Sequence, residues 1–139
     1  QLPLRAVFTL GSDMRGIGWT ATPALDLDLE IRGWDIAVRA EGLAATRDHH
    51  AYYYDVPPAY ATAERPAYSA PGGAAGWALR LGASRRFGLL WVGGFLSSDD
   101  VSGAAFEASP LVRQRRSLTA GLALSWVLLT SQTRVAGDR

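Results

Sequence analysis

Residues 19–31 read WTATPALDLDLEI. Trp19, Ala21, Pro23, Leu25, Leu27, Leu29 and Ile31 fall on one parity, and Thr20, Thr22, Asp26, Asp28 and Glu30 on the other. Successive side chains of an extended chain point to opposite faces, so this period of two predicts a strand with one apolar and one acidic face. After Arg32-Gly33 the pattern restarts, with Trp34, Ile36, Val38 and Ala40 set against Asp35, Arg39 and Glu41. Two alternating runs separated by two turn residues predict a tight hairpin.

The same period extends to both sides. Leu2, Leu4, Ala6, Phe8 and Leu10 share a parity opposite Arg5 and Thr9, and a short link, Ser12 to Gly16, follows. Trp77, Leu79, Leu81 and Ala83 alternate with Arg80, Gly82 and Ser84; after a turn near Arg86 to Gly88 comes Leu89 to Ser98, apolar on both parities. Leu118, Ala120, Leu122, Leu124, Trp126 and Leu128 then alternate with Ser117, Thr119, Gly121 and Ser125. The chain thus reads as six antiparallel strands. No segment repeats its apolar residues every three to four positions over ten or more residues, so little or no helix is expected.

The chain has 139 residues, 48% apolar and 19% charged, with no Cys. That suits one domain, residues 1–139 as a single β-barrel domain or the carboxy-terminal part of one, with Thr130 to Arg139 as a polar tail. Gln1 is not a start Met, and no signal-peptide pattern follows it. A mature form or a piece of a longer chain is the expectation. Basic and acidic residues balance at 14 against 13, all the basic ones Arg. Such a balance gives no overall field to draw in nucleic acid. The longest nearly unbroken apolar run, Phe87 to Leu96, is about half of what a spanning helix needs, which excludes a helical membrane protein.

Short and long links alternate. Those at Arg32-Gly33 and Arg86 to Gly88 are tight, whereas Ala44 to Gly76 and Asp99 to Arg116 are long. In an up-and-down sheet this gathers the turns on one rim and the loops on the other, the plan of an outer-membrane barrel. Several strands reach the nine to eleven residues that cross a bilayer when tilted. Trp19, Trp34, Trp77, Trp91 and Trp126 lie near strand ends, where an aromatic girdle belongs. Period alone leaves two readings. A soluble barrel or sandwich turns the apolar parity inward. A transmembrane barrel turns it to lipid and leaves Arg5, Asp26, Asp28, Glu30, Asp35, Arg39, Glu41 and Arg80 lining a polar lumen. The size of the apolar faces and the small Gly and Ala residues opposite them favour the second.

Tyr52-Tyr53-Tyr54-Asp55-Val56, followed by Pro66-Ala67-Tyr68-Ser69-Ala70 and Gly72-Gly73, resembles a long-loop motif of the MipA/OmpV family of Gram-negative outer-membrane proteins. Residues 97–112 (SSDDVSGAAFEASPLV) resemble that family's loop after the penultimate strand, and Leu118 to Trp126 resembles its closing strand. The similarity runs from about Asp13 to Leu128 and corresponds to the carboxy-terminal half of a family member. Asp55 stands where the family usually has Gly, implying a different local turn. The tail extends beyond the terminal aromatic residue that helps the barrel-assembly machinery recognise family members. Six strands are fewer than the eight of the smallest usual membrane barrel, so the resemblance implies a larger barrel, completed outside this chain. It further implies residence in the bacterial outer membrane and a structural scaffold role. In the family's namesake that role links a membrane-bound lytic transglycosylase to a bifunctional penicillin-binding protein. The runner-up is a small-solute channel.

Asp48-His49-His50, beside Tyr52, Tyr53 and Tyr54, is the one concentration of catalytic-type groups. Adjacent His residues on a strand point apart and cannot share a metal without further ligands, so a solvated loop entry at the rim is expected. A rim-sited enzyme using Asp48 and His49 ranks third. Gly16-Ile17-Gly18-Trp19-Thr20-Ala21 matches a dinucleotide fingerprint in letters only, since it opens a strand and not a helix. Neither catalytic residues nor a cofactor or metal is expected. Arg113, Arg115 and Arg116 close the last long loop, where guanidinium groups can fork onto lipopolysaccharide phosphates.

Overall fold

The computed structural model describes residues 3–8 and 16–128. Seven strands form one antiparallel sheet: β1 (Leu4–Phe8), β2 (Gly16–Ala21), β3 (Ala24–Ile31), β4 (Trp34–Ala45), β5 (Gly73–Phe87), β6 (Leu90–Asp100) and β7 (Arg116–Trp126). The order is β1-β2-β4-β5-β6-β7, with β3 also on β4. Among the described residues β1 and β7 are its edges, and the sheet does not close on itself.

β2 and β3 are one strand in all but a local break. Thr20 pairs with Ala45, Ala21 with Ala44, Ala24 with Glu41 and Leu25 with Ala40, so the register passes the interruption without a shift. The break falls at Thr22-Pro23 because Pro has no N–H to give the ladder. Its carbonyl still accepts from the Gly42 amide at 2.9 Å. Six predicted strands therefore appear as seven.

The hairpin at Arg32-Gly33 joins Ile31 to Trp34 through two residues with positive φ, 53° and 76°, the type I′ geometry whose twist suits flanking strands. The next tight turn is Gly88-Leu89, since β5 carries Arg86 and Phe87 and pairs Phe87 with Leu90. Both turns lie on one rim. The segments 46–72 and 101–115 lie on the other, and they are not purely loop. Arg47–Tyr54 forms α1, and Pro58–Tyr60 a 3-10 turn. This one short helix among the described residues agrees with the expectation of little or no helix; at eight residues it is shorter than the span over which periodicity can be judged. The expected link Ser12 to Gly16 and the tail Thr130 to Arg139 lie outside the described residues, apart from Gly16 at the start of β2.

Two glycines on β6 and β7 are covered by rings. A β-carbon at Gly121 would overlap the Phe95 ring, and one at Gly93 would overlap the Trp91 indole. Phe95 opposes Gly121 directly, so the ring fills the place of the missing side chain on that face. A Gly121→Val substitution is expected to push Phe95 off and destabilise the protein by about 1–3 kcal/mol. Urea unfolding checks this, with Ala123→Val on the same strand and face as the milder control.

Candidate functional site: a two-faced wall and its cap

Residues directly opposite each other in an antiparallel ladder share a face. Asp26 opposes Arg39, which opposes Arg80, which opposes Ser97. Asp28 opposes Ala37, Glu30 opposes Asp35, and Glu41 opposes Ala78, which opposes Asp99. Arg5 opposes Thr20, which opposes Ala45. Alternation along β4 puts all eight expected lumen residues on this one face.

The face divides in two. Toward the long loops, Arg39 and Arg80 stand opposite each other, a like-charge pair that would repel. Glu41 accepts from both: from Arg39 Nε at 2.8 Å through Oε2 and from Arg80 through Oε1. Asp26 binds Arg39 Nη1 at 2.8 Å, and Asp99 lies 3.5 Å from Arg80 Nη2. Three acids thus surround two guanidinium groups. Toward the tight turns, Asp28, Glu30 and Asp35 have no ion pair among the described residues. Glu30 and Asp35 are moreover direct cross-strand partners. They border a hollow of about 650 Å³ walled by Trp91 and Phe95.

The opposite face carries Leu25, Leu27, Leu29, Ile31, Leu79, Leu81, Leu122 and Leu124, all exposed, Leu122 at 93% and Leu25 at 79%. Aromatic residues border it at two levels. Trp34, Phe87 and Trp126 mark the turn side, where Trp34 and Phe87 meet edge to face at 6.3 Å and Arg85 lies over both rings. Trp19 and Trp77 mark the loop side. From Trp77 to Phe87 along β5 the rise is about 33 Å, which a tilt of roughly 40° reduces to about 25 Å, the height of an outer-membrane barrel's apolar band. Trp91 is a correction to the expected girdle. It opposes Arg86 and Ser125 on the charged face, and because β6 is apolar on both parities only the register separates its two sides.

The long segments pack on each other as a cap over the loop rim. Thr46 ties α1 to β2, its amide donating to the Trp19 carbonyl at 3.0 Å and its hydroxyl accepting from the Trp19 amide at 3.1 Å. Gly18, at φ 118°, permits this approach: a β-carbon there would overlap the Thr46 hydroxyl and stand 2.9 Å from the His49 amide nitrogen. Tyr54 and Phe106 stack at 3.7 Å, at the edge of a small core of Ala70, Ala75, Ala104 and Phe106. The Ser109 hydroxyl donates to the Tyr54 carbonyl at 2.8 Å, and the Asp55 carboxylate accepts from the Ala70 amide at 2.6 Å. Tyr54's hydroxyl is shifted up by its burial and by the neighbouring Tyr53. Tyr52 and Tyr53 are exposed, as are Arg113 and Arg115; Arg115 pairs with Glu107 at 3.0 Å. Arg116 opens β7 and binds Asp100 at 2.7 Å.

The histidines are not a solvated loop entry. Both sit on α1, and His50 is 1% exposed, its ring 4.8 Å from that of Phe106. Its Nδ1 faces the Pro71 carbonyl at 2.7 Å. His50 Nε2 and His49 Nδ1 are buried without a hydrogen-bond partner among the described residues. Desolvation, and then the neighbouring His50, lowers the His49 imidazole below its usual value. No acid hydrogen-bonds either ring, and no metal-binding group of His, Cys, Asp and Glu occurs among the described residues. The bridging role of Glu41 and the burial of His50 were both missed from sequence. The register is what reveals the first, and the cap's aromatic residues, Tyr54 and Phe106, are the only trace of the second.

An up-and-down antiparallel sheet with a charged face, an apolar face and aromatic borders is the wall of a β-barrel. No helix among the described residues is long and apolar enough to cross a membrane. The chain belongs to the family of MltA-interacting protein MipA, whose model matches residues 2–128, and that family is an outer-membrane-associated β-barrel family. Comparison with curated proteins and with solved structures found no match.

The charge network yields a ranking. Glu41→Gln removes the carboxylate that two opposed guanidinium groups share, so it is expected to lower the unfolding midpoint more than Asp26→Asn, which leaves Glu41 bridging both. Equal losses, measured by urea unfolding side by side, would contradict the bridge.

Proposed function

We propose that this chain builds part of an outer-membrane barrel wall, apolar face to lipid and charged face to the lumen, and serves as a scaffold for a periplasmic lytic transglycosylase. The observation that carries the scaffold reading is the family match, since MltA, the partner in the family's name, is a lytic transglycosylase. The paired charges of Asp26, Arg39, Glu41, Arg80 and Asp99 support it, because they cross-link the wall from within and suit a rigid platform. The tight turns at Arg32-Gly33 and Gly88-Leu89 face the periplasm in this reading and offer the docking surface, with the tail Thr130 to Arg139, outside the described residues, as a further candidate. A penicillin-binding protein and the barrel-assembly machinery are further partners it entails. The cap faces outward, where Arg113 and Arg115 meet lipopolysaccharide phosphates.

A small-solute channel is the second reading, favoured by one observation: Asp28, Glu30 and Asp35 border the 650 Å³ hollow with no ion pair among the described residues. Conduction through such a lumen would prefer cations.

Two measurements test these readings. Purified lytic transglycosylase is expected to be captured by the bilayer-reconstituted protein, with single-channel recordings showing no steady conductance. No capture, together with a stable cation-preferring current, would replace the scaffold with the channel. For the orientation, Leu81→Arg is expected to cost about 2–4 kcal/mol in a bilayer, the cost of an arginine facing lipid near mid-membrane. Ser84→Arg, on the charged face, is expected to cost far less in the same urea titration; the reverse order would turn the sheet inside out.

A further inference from the structure

The cap is pinned through a histidine pair on α1, of which His50 packs into the cap and His49 lies against Gly18 at the rim of the sheet. His50 donates Nδ1–H to the Pro71 carbonyl, which leaves Nε2 as the bare nitrogen. That atom is buried with no partner, against the edge-on rings of Phe106 at 4.8 Å and Tyr54 at 6.4 Å. His49, 6.1 Å away ring to ring, has its own orphaned Nδ1, so a charged His49 ring would hold a buried N–H with no partner, which is costly.

The neighbouring charges are occupied elsewhere or exposed. On α1, Arg47 binds the Ser69 hydroxyl at 2.7 Å and Asp48 is exposed. In the following segment the Asp55 carboxylate accepts from the Ala70 amide, and Arg65 donates to the Tyr60 carbonyl at 2.9 Å. Across the cap, Glu107 holds Arg115 and the Gly103 amide. β2 and the first seven residues of β5 carry no charged side chain. No carboxylate among the described residues hydrogen-bonds either imidazole to receive a proton's charge.

We propose that His49 forms an acid-sensitive latch: neutral, it holds α1 against the rim of the sheet at Gly18, and its protonation releases the cap. The sign follows from burial. An unfolded or opened segment binds protons near the usual value of 6.5, and the closed form binds them only at lower pH because burial depresses His49. Closure is therefore complete above about that pH and is lost as pH falls through the depressed range. The device is built into the cap and does not depend on what the barrel binds.

Hydrogen exchange of the whole protein in lipid bilayers, corrected for the intrinsic effect of pH, tests the latch. Amides of α1 and of residues 104–112 are expected to exchange at least ten-fold faster at pH 5 than at pH 7.5, while β4, β5 and β6 keep their protection. His49→Phe, which replaces the imidazole with an apolar ring, is expected to abolish the response. Unchanged cap protection across this range in the unsubstituted protein would overturn the proposal. So would an equal loss in His49→Phe, which would place the sensitive group elsewhere. Should His49→Phe lose cap protection at pH 7.5 as well, the pH response of His49→Gln decides: a response equal to that of the unsubstituted protein overturns the latch, and a reduced one upholds it.

Discussion

Residues that oppose each other across an antiparallel ladder must lie on the same side, so a single register assigns every side chain of the sheet at once. Here that register runs without a shift from β2 through β3 along β4. It gathers Asp26, Arg39, Arg80 and Glu41 on one face and leaves Leu25, Leu27, Leu29 and Ile31 on the other. A slip of one residue would send each leucine of a strand to the charged side. The ion pairs and the aromatic borders both presuppose this alignment, and the ion pairs in turn reinforce it. Glu41 can reach Arg39 and Arg80 together only when β4 and β5 are in step.

Most of this wall was legible in the sequence because alternation is a strong signal over eight or more residues. The parity of residues 19–31 anticipated one continuous strand face, including Pro23 on the apolar side, and the structure adds only the local break. Pairwise facts were less accessible. That Arg39 meets Arg80 and that Glu41 lies between them depends on how two strands align across a link of nearly thirty residues, which no local pattern encodes. Trp91 failed for a related reason: β6 is apolar on both parities, so its composition gives no hint of which side faces the charges. The cap was the least legible part. Its helix is too short to establish a period, and its stability comes from contacts between two segments about fifty residues apart, such as Tyr54 on Phe106.

The cap and the wall differ in how they are held. The strands share long ladders and cross-strand side-chain pairs, whereas the cap rests on a small core of Ala70, Ala75, Ala104 and Phe106 and a few hydrogen bonds. A unit with so little buried apolar surface opens at a lower free energy than the sheet beneath it. That separation lets one end of the molecule respond to its surroundings while the staves stay fixed.

Pro23 has a further consequence, concerning water. It returns no N–H to Gly42, so one rung of the ladder is single where its neighbours are double. In hydrocarbon a carbonyl deprived of its donor is expensive, since nothing there can replace the lost bond. Gly42 opposes Trp77 on its other side, which sets the incomplete rung at the level of the loop-side aromatic border. In the proposed placement that level lies among lipid headgroups, where solvent reaches the backbone. The strand thus places its incomplete rung at the wet boundary of the bilayer, away from the dry interior.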